Sequence, residues 1–269
     1  MQPPSPDEQQ RILAALHPGT RALVPHVMGS LDLVKAACSQ RQPDEALPAA
    51  VAEALAAAGA PPGSTSLGLG IGRHLSIRDA LKLCCRLSTV HSSLLQRSLK
   101  GSLAADYQAS VTAVPLTVRQ AAFTEAADCF AALVSRPEAA EWLLAALAAL
   151  WALPREAVHQ YLALHKPAVQ QSAVDLTFGR VSLPLVDSTA AAASTQRLLA
   201  ATAAGGAAAS RYTPTGHALR HMERIAVAVS QSEPVLLVGE TGTGALTLLR
   251  LQGPSSVLCP RPLIWRAGI

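Results

Sequence analysis

Residues 233–252 read EPVLLVGETGTGALTLLRLQ. Pro234 through Val238 form an apolar run with the look of a buried strand, and Gly239, Gly242 and Gly244 follow in a tight glycine-rich turn. A strand feeding such a turn is the build of a phosphate-binding loop, in which convergent backbone N–H groups and the N-terminus of the next helix cradle phosphate oxygens. In such a loop a lysine then reaches the outer phosphates and a Ser or Thr hydroxyl holds Mg²⁺. Here those two positions are Ala245 and Leu246. Thr247 is one residue late, about 100° further round a helix, so its hydroxyl points elsewhere. No apolar strand in the chain ends in the Asp-Glu pair that would hold Mg²⁺ or activate water. The glycine geometry is present, while the charge and the metal ligand are missing.

Working outward, the residues before the loop, TGHALRHMERIAVAVSQ (215–231), place Leu219, Met222, Ile225, Ala226 and Val229 on one side of a helix. Before that, residues 188–210 are an Ala/Ser/Thr-rich low-complexity stretch that reads as a linker or insertion. VDLTFGRVSLPLV (174–186) alternates Val174, Leu176 and Phe178 with polar residues, turns at Gly179-Arg180, and resumes with Val181, Leu183 and Leu185, a hairpin pattern. Everything earlier reads as helices: DEQQRILAAL, GTRALVPHVMGSLDLVKAACSQ with Pro25 near its start, and DEALPAAVAEALAAAG stopped by Gly59. LSIRDALKLCCRLSTVHSSLLQRSL opens with Ser76 and Asp79 at capping-box spacing. PLTVRQAAFTEAADCFAALVS places Gln120 three residues after Thr117, and two further helical stretches each end at a proline. The fold expected is mainly α with a partial α/β phosphate-loop element. Its boundaries are a helical part over 1–172, a hairpin-like crossover over 173–187, the linker at 188–210, the start of a phosphate-loop core over 211–252, and a tail over 253–269 that fits no element.

Composition narrows the functional classes. Half the 269 residues are hydrophobic and only 3% are aromatic, so alanine-rich helices with small-side-chain interfaces are expected. The net charge of +4 is scattered, with no basic run and no interleaved aromatics, and gives no direct nucleic-acid signal. WLLAALAALWAL (142–153) is the longest apolar run, too short for a membrane span of roughly 18 residues, and reads as a buried helix. Five cysteines without CxxC or Cys/His spacing, and a polar acidic start, point to a reduced intracellular setting with the thiols as small core residues. GLGIGRH (68–74) has no strand before it and reads as a loop. His217 and His221 have the i, i+4 spacing that can hold a metal, but with no third ligand nearby in sequence they read as solvated surface histidines, and no metal site is expected. Trp142 and Trp151 read as core, and no Ser/His/Asp or Cys/His catalytic arrangement emerges from spacing.

Taken together, several stretches carry a family resemblance. LSIRDALKLCCRLS (75–88), EAADCFAALVS (125–135), YLALHKPAV with VDLTFGRVSL (161–183), and ERIAVAVSQSEPVLLVGETGTG (223–244) occur in the same order as in the midasin family of dynein-related AAA+ ATPases, which this chain resembles over roughly residues 70–244 and more weakly from residue 10. The resemblance implies the helical lid of a first ATPase module followed by a truncated start of a second AAA+ core. It implies ATP with Mg²⁺ as cofactor, with Gly239, Glu240, Thr241, Gly242, Thr243 and Gly244 as a degenerate phosphate loop and Arg78 at the position of the lid's sensor arginine. It further implies a nuclear role, in nucleolus and nucleoplasm, in ATP-driven removal of assembly factors from the precursor of the large ribosomal subunit, with the remaining AAA+ ring and the pre-ribosomal particle as partners. The missing lysine and acidic pair leave this chain without hydrolysis of its own and without a catalytic residue. Because the match stops inside a motif, the last 25 or so residues read as a shifted frame, retained intron or truncated gene product. The competing reading is a non-enzymatic helical interaction module whose glycine loop is only a turn.

Overall fold

The computed structural model describes residues 4–38, 48–59, 74–99, 111–131, 134, 137–172, 174–184, 215–239 and 264–267. Contacts divide the chain into two units, Met1–Leu162 and Ala163–Ile269. The first is helical; the second carries a small antiparallel sheet and a helix.

In the first unit, α1 (Pro6–Leu16) starts with a capping box, Ser5 Oγ accepting from Glu8 N at 3.3 Å and Glu8 Oε2 accepting from Ser5 N at 2.8 Å. A 3₁₀ segment (Pro18–Leu23) then leads into α2 (Val24–Ala37), so what reads in sequence as one helix is two, with Pro25 in the first turn of the second. Proline fits there because the first-turn N–H groups have no intrahelical acceptor. Next come α3 (Ala49–Ala57), α4 (Ile77–Val90), α5 (Ser92–Leu99), α6 (Leu116–Phe130), α7 (Pro137–Leu150) and a short α8 (Glu156–His159) that runs into a π-turn over Gln160–Leu164. Helix α2 is buried on most of its circumference, through Val24, Val27, Met28, Leu31, Leu33 and Val34, the pattern of a helix surrounded by others. It packs on α3, α4 and α7, while α6 packs on α4 and α7. Alanines 122, 126 and 127 of α6 and 146 and 148 of α7 are buried alongside leucines, and these short side chains fill the helix interfaces. No helix among the described residues is long and apolar enough to cross a membrane.

Two helix starts and stops differ from the pattern reading. Helix α6 begins directly after Pro115, whose extended backbone serves as the cap, so Thr117 lies within the first turn and caps nothing. The stretch after Ser76 is broken at His91, which leaves helical geometry (φ −110, ψ 20) and separates α4 from α5. The C-terminus of α7 is closed by a residue in the left-handed region, Ala152 at φ 46, with Leu153 N donating to Ala148 O at 2.8 Å. A non-glycine residue there costs roughly 1 kcal/mol. Arg119 of α6 offsets it by donating through Nη1 to the carbonyls of both Trp151 and Ala152, and through Nε to Val114 O at 2.9 Å. A guanidinium on the last carbonyls of a helix also meets the negative end of its dipole.

In the second unit the expected hairpin is present as β2 (Asp175–Phe178) and β3 (Val181–Pro184), and β1 (Val169–Gln171) adds a strand that the sequence reading did not assign. The order is β1-β2-β3, antiparallel throughout, with Leu176 opposite Leu183 and Phe178 opposite Val181. Those four side chains are buried, and α9 (Gly216–Ser230) lies against β2 and β3. Thr215 caps α9, its Oγ1 accepting from Ala218 N at 3.1 Å. The helix stops at Ser232 (φ 53), where Glu233 N donates to Ala228 O at 2.8 Å and the chain turns into β4 (Leu236–Gly239). The tail that fits no period in sequence contributes β5 (Ile264–Ala267), parallel to β4 with Leu236 opposite Ile264.

Candidate functional site

Arg78 sits in the first turn of α4. Ser76 Oγ accepts from Arg78 N at 3.3 Å, and Ser76 N donates to Asp79 Oδ2 at 2.8 Å, so the capping box read from the sequence is formed. The box turns Asp79 inward, where it is buried, and leaves the Arg78 side chain exposed. The capping box fixes the backbone of Arg78, and its exposed guanidinium is a cation that can meet an anion.

Of the phosphate-loop residues, Gly239 ends β4, while Glu240, Thr241, Gly242, Thr243 and Gly244 lie outside the described residues. The strand leading into the loop is therefore in place. The donor set does not fit a magnesium-bound triphosphate, because Ala245 and Leu246 supply neither the ammonium nor the hydroxyl that the chemistry needs.

Three buried polar groups escape a spacing argument, and two of them hold the units together internally. In the helical unit Glu125 is fully buried on α6, with His91 Nε2 at 2.9 Å from Oε1 and Arg86 Nη1 at 3.8 Å from Oε2. The break at His91 is what aims the imidazole at this carboxylate. One turn on, Asp128 accepts from the Tyr161 hydroxyl at 2.6 Å. In the second unit Glu223 of α9 is buried, with Arg180 Nη1 at 2.7 Å and His165 Nε2 at 2.8 Å from Oε2 and the Arg180 backbone N–H donating to Oε1 at 3.0 Å. The signal that could have found them is an acid inside an apolar stripe: Glu223 falls between Leu219, Met222, Ile225 and Ala226, and Glu125 between Ala122 and Ala126. A charge at such a position requires a partner from another element.

Other candidates carry less chemistry. A cleft of about 420 Å³ in the helical unit is bordered by Glu138, Glu141, Trp142, Arg155 and His159, charges of both signs with no convergent set of donors. Trp151 is fully buried and donates to Ser30 Oγ at 3.1 Å, while Trp142 is only half-buried. No disulfide joins the described cysteines 38, 84, 85 and 129. Burial pushes the thiols of Cys38 and Cys84 up to about 11, so both stay protonated and unreactive at neutral pH.

Comparison with known proteins bears on the helical unit. A family model described as the midasin AAA lid domain matches residues 10–154. Midasin from Dictyostelium discoideum is 26% identical over 143 residues, covering 50% of this chain and 2% of that protein. The chain thus matches only a small part of that much longer relative. No solved structure matches it.

Proposed function

Because the chain belongs to the midasin AAA lid domain family, we propose that its helical unit is the lid of an AAA+ ATPase module, that Arg78 is the lid's sensor arginine, and that the residues from about 174 onward open a second module's core. The observation that carries this reading is the coincidence of the family match, residues 10–154, with the compact helical unit Met1–Leu162. The exposed, capped Arg78 supports the sensor role, since it leaves a guanidinium unspent on the helical unit's own core. The ion that it would stabilise is the outer phosphate of ATP bound by the module to which the lid belongs. In the longer relatives' setting the role proposed is nuclear, in ATP-driven release of assembly factors from the large-subunit precursor, with the rest of an AAA+ ring and the particle as partners.

The test joins the chain to the nucleotide-binding core that precedes a lid in an AAA+ module. There, Arg78→Ala lowers ATP turnover on the order of 10²-fold, the scale of losing one donor aimed at developing charge. Arg97→Ala, also an exposed arginine of the helical unit, leaves turnover unchanged. Turnover within about twofold of the parent in Arg78→Ala removes the sensor role.

We further propose that the second unit neither binds Mg-ATP tightly nor hydrolyses it. Mg-ATP then gives no rise in the melting temperature of the purified chain. Ala245→Lys with Leu246→Thr restores both missing groups, and at ~100-fold excess over Kd the nucleotide adds about 2.7 kcal/mol of stability. Equal stabilisation of the parent chain and the double variant would show that the glycines alone suffice, against this proposal.

A further inference from the structure

We propose that the cleft between α7 and α8 is the contact face of a weak two-fold dimer, its occupant being the same face of a second copy of this chain. The two helices pack against each other, and the cleft of about 420 Å³ runs between them. Glu138, Glu141 and Trp142 lie on one side of α7 at i, i+3 and i+4 spacing and form an acidic wall. Arg155, His159 and Leu162 form the other wall, from α8 and the residues at its two ends, and this wall is basic. Glu138, Glu141, Arg155 and His159 are all exposed. Among the described residues no ion pair joins one wall to the other, so the two signs stay apart within one copy. Each wall also carries an incompletely covered apolar side chain, Trp142 being half-buried and Leu162 37% exposed.

The charge layout selects both the occupant and the symmetry. A small polar ligand needs donors that converge on one point, whereas this cleft divides its charges between two walls. An isologous contact needs a face complementary to itself, and two parallel walls of opposite sign meet that condition. A half-turn about an axis along the cleft sets the acidic wall of each copy against the basic wall of the other, so the match is made twice. A half-turn about an axis across the cleft sets like charges together, which costs several kcal/mol and rules that arrangement out. In the favoured arrangement the wall with Trp142 meets the wall with Leu162, and each copy covers apolar surface that the other leaves open. Aromatic side chains are the usual anchors of such contacts. The cleft has far fewer lining residues than the roughly 20–30 a side of a standard interface, so a dissociation constant on the order of 10–100 µM is expected. The contact needs no nucleotide and does not depend on the role proposed for Arg78.

The experiment is sedimentation equilibrium of the full chain up to about 200 µM, with the thiols kept reduced. The expected result is a reversible monomer–dimer equilibrium that weakens several-fold as salt rises from about 0.05 to about 0.5 M, because the pairs between the walls are screened. Glu138→Lys with Glu141→Lys makes both walls basic, and Arg155→Glu with His159→Glu makes both acidic. Each double variant alone associates on the order of 10-fold more weakly than the parent or worse, since like charges then face each other. An equimolar mixture of the two dimerises at least as tightly as the parent, because every wall again meets its opposite. Recovery in the mixture also shows that both variants are folded. A parent chain that stays monomeric throughout, or a dimer indifferent to salt, overturns the proposal. So does either variant self-associating like the parent, or a mixture of variants with native circular dichroism that associates no better than its components.

Discussion

Gly179→Ala destabilises the second unit by on the order of 3 kcal/mol or more. Gly179 lies at φ 53, where a β-carbon is strained whatever space surrounds it. The space is also taken: a β-carbon built there would sit 2.0 Å from Glu223 Oε1 and 3.0 Å from Pro167 Cβ. The carboxylate cannot simply step aside, because Oε1 accepts from Arg180 N and Oε2 is engaged by Arg180 Nη1 and His165 Nε2. Moving it leaves buried charge without its partner, the costly outcome for an ion pair. The close approach also explains the tight two-residue turn, which has glycine first and a non-glycine second, a favoured hairpin pattern. Urea unfolding of the variant measures the loss. Gly216→Ala is the internal control, since nothing lies within 4 Å of its β-carbon, and it leaves stability equal or slightly higher. The paired change Gly179→Ala with Glu223→Ala costs less than the sum of the two single changes, because removing the carboxylate frees the space. Strict additivity would mean that strain at φ 53, and not the carboxylate, sets the requirement for glycine.

Glu125→Ala is expected to cost the helical unit about 3–5 kcal/mol, the range for breaking one side of a buried ion pair. The carboxylate is fully buried, and both Arg86 and His91 are directed at it from α4 and its end. Removing it takes from Arg86, itself only 4% exposed, the buried carboxylate that lies 3.8 Å from its Nη1. The same principle gives the discriminating partner experiment. Glu125→Met with Arg86→Met removes both charges and keeps the volume, and this pair loses far less than Glu125→Ala alone. Thermal or urea melts decide it. If the double change is as damaging as the single one, the charges support packing in a way that matched hydrophobes cannot replace.

Local chemistry was legible in the sequence wherever the deciding residues are near one another in the chain. Ser76 and Asp79 announced the start of α4, alternation with Gly179-Arg180 announced β2 and β3, and the apolar stripe announced α9. Helix ends decided by distant partners were not legible. The break at His91 comes with its bond to Glu125, 34 residues away, and Arg119 closes α7 across 33 residues at Ala152. Strand β1 carries no alternating apolar pattern, since Gln170 and Gln171 are exposed, and it forms because β2 offers an open edge. For the candidate site, sequence supplied the residues, Arg78 and the glycines. The exposure of Arg78 had to come from the fold, because only folding shows that Asp79 turns inward and its neighbour does not.

The bond from Trp151 Nε1 to Ser30 Oγ joins positions 121 residues apart in the chain. Although the unit is helical, its central packing is therefore not local, and a topology of this kind folds more slowly than a bundle of sequential neighbours. During synthesis at ~5–20 residues per second, α2 waits roughly 6–24 s for Trp151 to follow it out of the ribosome. For that interval a helix that buries nine of its fourteen residues in the finished unit has only its early neighbours for cover. The nascent chain is thus at its most aggregation-prone before α7 appears, and that interval is where a chaperone would act on it.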